Sequence, residues 1–502
     1  MTRTRTRTRT MRMDNDQALV DLDLSQAVKS TEPADWKYIA EGAANLILAY
    51  HPPLLETEER LLRGKSLRLT KTTSRSHPED KEKTHEQIEP ARSKQISFFD
   101  FHHQILSEII SPDLLLRFDL ISLDNQWLQG LATAVEPSRP STKRDQSSID
   151  TTRTHAIIMD NLAHQSDGSE QQIISVEIKV PKWACLPHNL ELLEPSTRET
   201  KSKFCRTCVF RAVRSVEAAQ DPAASEPLDE YYTSAHRFCA LQLFNSRHPA
   251  HLRRALDRLC AEWQHLKPPT STIPPDPTIS KNTQSHNNFK IFRHGVLLDP
   301  LSVEVDPELI EVLAETLERS QVLRRLAELQ RRLDKLDIEG VFKELGSKHK
   351  EGEEGAGGSG VLEEPIGLAE LTALIPLISE TTEPETIQTT LDGLSARTKA
   401  VMYALSMTFK DCSIFVRLPV LPSHTNLNPT TSTLLLSPAP EARLPQRTQV
   451  KIIDLDLKPI SRLHKYFKAD RTSFSDFITL LLRSPQSPPV TCLELCNSTA
   501  SW

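Results

Sequence analysis

The chain has 502 residues, of which 38% are apolar and 25% are charged, and its formal net charge is −6. Proteins that bind mainly the nucleic-acid backbone are usually basic, so this charge argues against that class. Glycine is scarce, with 14 residues in the whole chain, against an average of about 7%. Neither a Walker nor a Rossmann glycine motif is present, which excludes the common glycine-rich phosphate loops.

The start of the chain and its cysteines bear on its compartment. The first residues alternate Arg and Thr and lack the apolar stretch of a secretory signal. No run of 18 apolar residues predicts a membrane span, and eight unevenly spaced cysteines do not indicate a disulfide framework. We therefore expect a nuclear or cytoplasmic protein that does not bind membranes.

Helical and strand patterns alternate with polar segments along the chain. Apolar residues recur at helical spacing in some blocks and cluster with β-branched residues in others. The patterns predict a helix over 97–110, strands over 156–159 and 173–179, a helix over 229–244, a long amphipathic helix or helix pair over 307–345, and a strand over 450–457. The 307–345 block lacks sustained heptads, so we expect it to pack on the core.

These blocks predict an α+β fold with two lobes. We expect a disordered tail over 1–34, a small β-rich N-lobe over 35–165, a larger, mainly helical C-lobe over 166–485 and a C-terminal tail over 486–502. Polar, proline-rich or charged composition predicts disordered insertions at about 72–95, 137–150, 268–286, 348–360 and 421–445.

Two of the chemically informative segments lie in the first half of the chain. At 39–50, IAEGAANLILAY, one glycine and two alanines would let a ligand approach the backbone, although ordinary turns share this composition. Lys179 and Lys182 flank the proline that ends a predicted strand, where lysines can hold phosphate as point charges. The basic residues that follow, up to Arg214, also suit a solvated face.

Two later segments place carboxylates beside cations. Asp411 stands between a lysine and a β-like run at 409–418. The segment 450–471 ends its strand in two aspartates and continues with three residues at four-residue spacing: Asp454 and Asp456, then Lys458, Arg462 and Tyr466. Carboxylates near a row of cations suit Mg²⁺ bound together with substrate phosphates. A structural salt-bridge network is the alternative interpretation.

Cysteine and histidine spacing indicates one further metal hypothesis. Cys185-x2-His188 is followed by Cys205-x2-Cys208, a pattern of four ligands that resembles a structural zinc site. Buried cysteines without a metal are the alternative. Cys492 and Cys496 lie in the polar C-terminal segment and do not suggest a role.

Several short motifs together resemble one enzyme family. EGAANLILAY, VEIK, PKW, CRTC, NNFKIF, DCS and IIDLDLKP occur in the order found in inositol-pentakisphosphate 2-kinases, and the sequence resembles a fungal member from about residue 36 to residue 471. The resemblance implies a kinase-like bilobal fold. It also implies transfer of the γ-phosphate of ATP to the 2-hydroxyl of inositol 1,3,4,5,6-pentakisphosphate, which gives inositol hexakisphosphate, in a protein that we expect to be a monomer.

The resemblance assigns roles by position. The residues that match nucleotide contacts are Gly42, Ala43, Asn45, Arg68, Asp160, Asn161 and Glu177. The residues that match substrate contacts are Lys182, Arg214, Asn287, Asn288, Lys458, Arg462 and Tyr466, with either Arg139 or Arg144. Asp411 matches the aspartate that orients or deprotonates the 2-hydroxyl, and Lys179 matches the first lysine of the family's EIKPK motif, which we expect to be catalytic. Asp454 matches a magnesium ligand, and Asp456 is a second carboxylate at that strand end.

The chain departs from the family pattern at three places. Val180 is inserted between Lys179 and Pro181, and Phe210 replaces a substrate-contacting histidine, whose place Arg211 would have to take. A second arginine of the family would fall near Thr73, where only Lys71 is available. These departures keep open a degenerate pseudo-kinase that binds inositol phosphates without turnover. The Arg- and Glu-rich 307–345 helix keeps open a scaffold that binds a partner through that helix.

Overall fold

The structure is a computed structural model, and it describes residues 24–42, 44–51, 61–73, 96–163, 172–179, 185–218, 238–244, 249–265, 288–346, 362–379, 391, 393–421, 434–483 and 489–497. The chain divides into two compact units, residues 1–86 with 116–170 and residues 87–115 with 171–502. Both contain strands and helices, so the α+β prediction is confirmed. Stretch 87–115 belongs to the second unit, although the predicted N-lobe includes it. Among the described helices, none has the length and apolarity to cross a membrane.

The first unit is built on an antiparallel sheet. Its strands are β1 (Trp36–Glu41), β2 (Asn45–Tyr50), β3 (Lys65–Thr73), β4 (Phe118–Ser122), β5 (Ser147–Ile149) and β6 (His155–Asp160), and its helices are α1 (Asn125–Val135) and α2 (Ser141–Arg144). The strand order is β1-β2-β3-β6-β4, and β5 pairs with β3. The predicted strand at 156–159 is confirmed as part of β6. Single 3-10 turns cover Pro33–Asp35 and Glu136–Ser138.

The core of the first unit includes part of the predicted N-terminal tail. Residues 24–29 form a helix, and its Leu24 and Val28 are buried in the same apolar cluster as Trp36 and Trp127. Both indole N–H groups donate to Thr31, Trp36 to the hydroxyl and Trp127 to the carbonyl oxygen, each at 2.9 Å. The prediction of disorder is therefore wrong for 24–34, and 1–23 lie outside the described residues.

The second unit contains a five-stranded antiparallel sheet and a separate parallel pair of strands. Its strands are β7 (Gln172–Lys179), β8 (Phe289–Arg293), β9 (Val296–Leu297), β10 (Val303–Val305), β11 (Ser413–Val420), β12 (Leu434–Leu436) and β13 (Gln449–Ile453). The large sheet has the order β13-β11-β7-β8-β9, and β10 pairs with β12. β7 confirms the predicted strand at 173–179. The strand predicted over 450–457 ends earlier because Asp454 takes a left-handed conformation, with φ of 60°.

Helices supply most of the second unit. They are α3 (Pro195–Lys203), α4 (Arg206–Ala218), α5 (Ala240–Phe244), α6 (Pro249–His265), α7 (Pro307–Ser320), α8 (Val322–Leu333), α9 (Asp337–Gly346), α10 (Leu368–Thr372), α11 (Ile375–Ile378), α12 (Ala396–Lys410), α13 (Leu463–Arg483) and α14 (Cys492–Asn497). Single 3-10 turns cover Leu190–Leu192, Pro300–Ser302, Pro440–Arg443, Pro445–Arg447 and Ile460–Arg462. The predicted 97–110 helix has a π-helical centre, Phe101–Leu106, between short α-helical turns.

The helix or helix pair predicted over 307–345 is three helices, α7, α8 and α9. It breaks at Gln321 and Asp337, both of which have a positive φ. The apolar faces of α7 and α8 are buried in the main core, and Arg325 donates from a buried position to the carbonyl oxygen of Ile109, at 2.7 and 2.9 Å. The prediction of core packing is confirmed. The apolar residues that a scaffold helix would offer to a partner are therefore already buried.

Three predicted flexible segments are partly ordered. Residues 137–150 contain α2 and β5, so the predicted insertion there is wrong. In 421–445, β12 and the 3-10 turn Pro440–Arg443 are present. In the predicted tail 486–502, α14 buries Cys492 and Leu495. Two predicted insertions lie outside the described residues, 268–286 and 348–360. The same holds for residues 74–95 of the first predicted insertion. Of the predicted 229–244 helix, the described residues contain α5 at its end.

Candidate active site

One edge of the large sheet brings predicted site residues together. Ser413 at the start of β11 pairs with Lys179 at the end of β7 and with Ile453 at the end of β13. The backbone N–H of Lys179 also donates to the carbonyl oxygen of Asn288, just before β8, at 3.0 Å. Because neighbouring antiparallel strands start and end at the same edge, segments distant in sequence meet there. We call Lys179, Asp411, Asp454 and Lys458 the sheet-edge cluster.

Asp411 is held between two lysines. It is the C-cap residue of α12, directly before β11. Its Oδ2 lies 2.8 Å from Nζ of Lys458, and its Oδ1 lies 4.0 Å from Nζ of Lys179. The Asp411 side chain is 21% exposed and that of Lys179 is 37% exposed. The carboxylate is thus oriented by one ammonium group and still reaches solvent, as a residue that exchanges a proton with a substrate must.

Asp454 brings a second carboxylate to the same edge. Its left-handed backbone turns the chain out of β13, and its side chain is exposed. Burial raises the pKa of the Cys412 thiol, and the nearby negative charges of Asp454 and Asp411 raise it further. Asp454 follows Ile453, which pairs with Ser413 directly after Cys412, so the register also places it at this end of the strands. Asp456 is half-buried, and its carbonyl oxygen accepts from the Thr408 hydroxyl at 3.2 Å.

Glu177 lies two residues before Lys179 and so on the same face of β7. It is buried. Its carboxylate accepts from the Ser413 hydroxyl at 3.0 Å and from Nζ of Lys290 at 3.0 Å. These bonds link β7 to β11 and β8 next to the sheet-edge cluster. The resemblance matches Glu177 to a nucleotide contact, and the structure shows that it also connects three strands.

The remaining predicted substrate residues differ in their surroundings. Arg462 is exposed in the 3-10 turn before α13, and Tyr466 is half-buried in the first turns of that helix. Arg214 is exposed on α4. Arg211 is the possible replacement for the missing histidine. Its guanidinium group is paired with the carboxylate of Glu262. Lys182 and Asn287 lie outside the described residues, as does Val180.

The predicted nucleotide residues of the first unit lie in the β1–β2 hairpin, on β3 and at the end of β6. Gly42 N–H donates to the Asn45 carbonyl oxygen at 2.9 Å across the turn, and a Cβ at Gly42 would meet nothing within 4 Å. Arg68 is half-buried on β3, paired with Ile47 and Ile157 of the neighbouring strands. Ala43 lies outside the described residues.

Asp160 and Asn161 end β6. Asp160 is exposed and pairs with Lys65 at 2.7 Å. The Asn161 side chain is buried and accepts from the Ala163 N–H at 3.1 Å. Asp160 therefore presents its carboxylate to solvent, whereas Asn161 mainly shapes the turn that follows β6.

Arg139 does not fit a substrate role in this structure. Its side chain is fully buried and pairs with Glu41 at 2.9 Å and with Glu136 at 2.8 Å. Lys71 is also buried against Glu41 at 2.7 Å, so it does not replace the missing family arginine. Burial alone would raise the pKa of Glu41, but hydrogen bonds from Arg139 and Lys71 outweigh burial and lower it. Of the two alternatives, Arg144 is the exposed one.

The structure changes the predicted zinc ligands. Cys205 and Cys208 lie together with Cys239 and Cys492, and not with Cys185 and His188. The Cys185 thiol lies 3.8 Å from Oε1 of Gln330 on α8. Burial lowers the pKa of His188, and nearby Lys335 lowers it further. The four residues of the spacing pattern are therefore not brought together, because Cys205 and Cys208 lie in a group that lacks Cys185 and His188.

A second group of charges, which no sequence pattern indicated, lies inside the second unit, and we call it the buried ionic cluster. Its members are Lys201, Arg206, Asp337, Glu339 and Asp470. Nζ of Lys201 lies 3.1 Å from Asp337, 2.7 Å from Glu339 and 2.6 Å from Asp470, and Arg206 pairs with Asp337 and Asp470. Lys201 and Arg206 belong to the basic stretch interpreted above as a phosphate-binding or solvated face. They are in fact used inside the protein to join α3, α4, α9 and α13.

Comparison with known proteins finds relatives that share one name. The chain is 25% identical over 457 residues to a protein named inositol-pentakisphosphate 2-kinase in each of two strains of Cryptococcus neoformans var. neoformans serotype D, JEC21 and B-3501A, with 88% of this chain and 92% of the relative covered. It is 22% identical over 507 residues to the protein of that name from Arabidopsis thaliana, with 90% and 95% covered. The family model described as inositol-pentakisphosphate 2-kinase matches residues 38–472, and the chain therefore belongs to that family.

Proposed function

We propose that this protein transfers the γ-phosphoryl group of ATP to the 2-hydroxyl of inositol 1,3,4,5,6-pentakisphosphate and so makes inositol hexakisphosphate. Family membership supports the proposal. The observation that carries it is Asp411, a partly exposed carboxylate 2.8 Å from Lys458 and 4.0 Å from Lys179. We also propose that the two units act as the lobes of a kinase-like fold, with the nucleotide residues largely in the first.

The transfer needs one base and little covalent chemistry from the protein. The substrate 2-oxygen forms a bond to the γ-phosphorus, the bond from that phosphorus to the bridging oxygen of ADP breaks, and Asp411 takes the hydroxyl proton. Lys458 holds the Asp411 carboxylate in place, and Lys179 offers an ammonium group to the charge that moves with the phosphoryl group. Positioning and charge neutralisation are the main demands of phosphoryl transfer.

The substrate carries many negative charges, so its pocket requires several cations. Lys458, Arg462 and Arg214 are suited to bind the phosphates that do not react. A hydrogen bond to a charged group contributes about 1.5–3 kcal/mol, so a few such contacts suffice for micromolar binding. Arg139 is not among them, because it is already paired inside the first unit.

The carboxylates at the sheet edge fit a magnesium ion. Mg²⁺ prefers oxygen ligands and usually combines one or two carboxylates with substrate phosphates, and Asp454 and Asp411 both lie at this edge of the large sheet. Asp454 would hold the ion, with Asp456 as a further oxygen donor. When bound, the ion would neutralise charge on the nucleotide phosphates.

The hairpin glycine supports a nucleotide role for the first unit. Gly42 has no positive φ among the described residues, and a side chain there would meet no protein atom within 4 Å. The turn itself therefore does not require glycine. We attribute its presence to a nucleotide that approaches the backbone beside Asn45 and Arg68.

A direct assay tests this function. Purified protein with ATP, Mg²⁺ and inositol pentakisphosphate is expected to give a product with one more phosphate, which anion-exchange chromatography resolves and ³¹P NMR assigns to position 2. Asp454→Asn should raise the magnesium concentration needed for half-maximal rate. If calorimetry shows tight binding of the pentakisphosphate while no product forms at any magnesium concentration, the chain is an inositide-binding pseudo-kinase and the proposal fails.

A further inference from the structure

Four cysteines from three distant parts of the chain meet inside the second unit. Their Sγ atoms all lie within 4.8 Å of one another, and all four side chains are buried. Cys205 precedes α4 and Cys208 lies in its first turn, Cys239 precedes α5, and Cys492 is the first residue of α14. We call this group the four-thiol cluster. The catalytic proposal does not use it.

The spacing of the sulfur atoms fits a tetrahedral metal centre. A zinc ion bound by four thiolates at about 2.3 Å requires sulfur atoms about 3.8 Å apart along each edge of the tetrahedron. Sγ of Cys205 and Sγ of Cys492 lie 3.8 Å apart. All eight cysteines of the chain are free, so the four-thiol cluster is not a pair of disulfides.

Packing alone does not explain four thiols at one point. A thiol is a weak hydrogen-bond donor and acceptor, and apolar side chains of similar size would fill the same volume. The two other fully buried thiols, Cys260 and Cys412, belong to no such group within the described part of the chain. The local structure also holds the cluster in place. Thr491 and Glu494 exchange side-chain and backbone hydrogen bonds at the start of α14, at 2.7 and 3.1 Å.

We propose that Cys205, Cys208, Cys239 and Cys492 bind one structural zinc ion as a closed four-thiolate site. Four soft sulfur ligands in tetrahedral geometry select zinc or iron. Zinc is the choice here because a site closed by four protein ligands leaves no open position and suits a structural role. The ion would tie the C-terminal helix α14 to the starts of α4 and α5.

This role has a structural consequence near the buried ionic cluster. Cys205 is adjacent to Arg206, which pairs with Asp337 and Asp470. The described structure also links α14 to α5 through Gln242, whose Nε2 donates to the Leu495 carbonyl oxygen at 2.8 Å. Zinc loss should therefore release 489–497 and expose the chain after α13 to protease.

Metal analysis of the purified full-length protein under reducing conditions tests the site. We expect about one zinc per chain in the wild type, and near zero in Cys492→Ser and Cys239→Ser. Cys260→Ser and Cys185→Ser are matched controls that should keep about one zinc. Loss of zinc in Cys185→Ser with retention in Cys492→Ser would instead support the ligands predicted from sequence spacing and overturn the proposal.

A second readout does not depend on the variants folding. Wild-type protein refolded with Co²⁺ should show thiolate-to-cobalt charge-transfer and tetrahedral d–d absorption bands, and added Zn²⁺ should abolish them. A mercurial should displace zinc from the four-thiol cluster, and a colorimetric zinc indicator measures the zinc that is released. Limited proteolysis should then show faster cleavage after α13. A purified protein that contains iron and has a red thiolate-to-iron band, or that takes up neither metal, would overturn the zinc assignment.

Discussion

Lys179 and Asp411 keep 37% and 21% of their side chains exposed, whereas Lys201 and Asp470 in the same unit keep 1% and 0%. In the sheet-edge cluster, Lys179 stands 4.0 Å from its carboxylate partner. In the buried ionic cluster, Lys201 lies within 3.1 Å of three carboxylates. The residue types are the same, but only the first arrangement leaves cations in contact with solvent.

The difference shows how to separate structural charges from functional ones in this protein. Charges removed from water must pair fully, because an unpaired buried charge is very costly. The buried ionic cluster meets this demand and therefore has no capacity for a ligand. A site for a polyanion needs charges that are oriented but still hydrated, as Lys179 is.

The largest effect should follow from Asp411→Asn. Loss of a general base lowers kcat by about 10²- to 10⁴-fold, while the free energy of unfolding should change by less than about 1 kcal/mol because the residue is partly exposed. Steady-state kinetics and thermal unfolding measure the two quantities. Asp476→Asn, an exposed aspartate on α13, is the matched control and should change neither. A wild-type kcat in Asp411→Asn would contradict a catalytic role for the sheet-edge cluster.

The same substitution in the two clusters should have opposite consequences. Lys201→Met leaves Arg206 as the one remaining cation of the buried ionic cluster, beside three buried carboxylates. It should therefore lower the free energy of unfolding by about 3–5 kcal/mol. Lys179→Met should leave stability within about 1 kcal/mol and lower kcat by at least about tenfold. Urea unfolding and kinetics on the folded fraction measure both. Equal destabilisation by the two variants would show that the clusters do not differ as described.

Acid should weaken the buried ionic cluster in a defined pH range. Burial alone would raise the pKa of Asp337, but Arg206 and Lys201 outweigh it and lower the pKa from 3.8 to about 2. A carboxyl whose pKa is lower in the folded state stabilises the fold above its unfolded pKa, and this contribution is lost as the pH falls from about 4 to about 2. The loss should be about 2 kcal/mol. Asp337→Asn should flatten the unfolding free energy over this range, and an unchanged slope would contradict the assignment.

The smallest effect on stability is expected at an exposed pair of the first unit. Lys65 and Asp160 are 28% and 50% exposed, so Asp160→Asn should cost less than about 1 kcal/mol. If Asp160 contacts the nucleotide, the KM for ATP should rise by about tenfold or more, as expected for the loss of one charge-assisted hydrogen bond. Glu108→Gln, an exposed carboxylate of the second unit, provides the control. An unchanged KM would remove Asp160 from the nucleotide site.

The strands and the residues of the sheet-edge cluster were the more predictable part of the molecule. Consecutive β-branched residues predict β7 within one residue of its start, and the motifs DCS and IIDLDLKP contain Asp411, Asp454 and Lys458. The predicted limits of insertions were wrong where a polar segment pairs with residues far away in the sequence. Residues 137–150 look like a loop by composition, yet Arg139 is buried because Glu41, almost a hundred positions earlier in the chain, accepts its hydrogen bonds.

The sequence by itself determined which residue types are available: few glycines, a short hairpin turn, carboxylates at strand ends and several cations. It also determined that the motifs follow the order found in one family. Tertiary structure alone decided which of these charges and thiols face solvent. Lys201 resembles a surface lysine until α9 and α13 bring Asp337, Glu339 and Asp470 to it, and Cys492 resembles a tail residue until α14 packs beside α5. Burial and pairing depend on contacts between segments far apart in the chain, and local sequence patterns do not encode those distances.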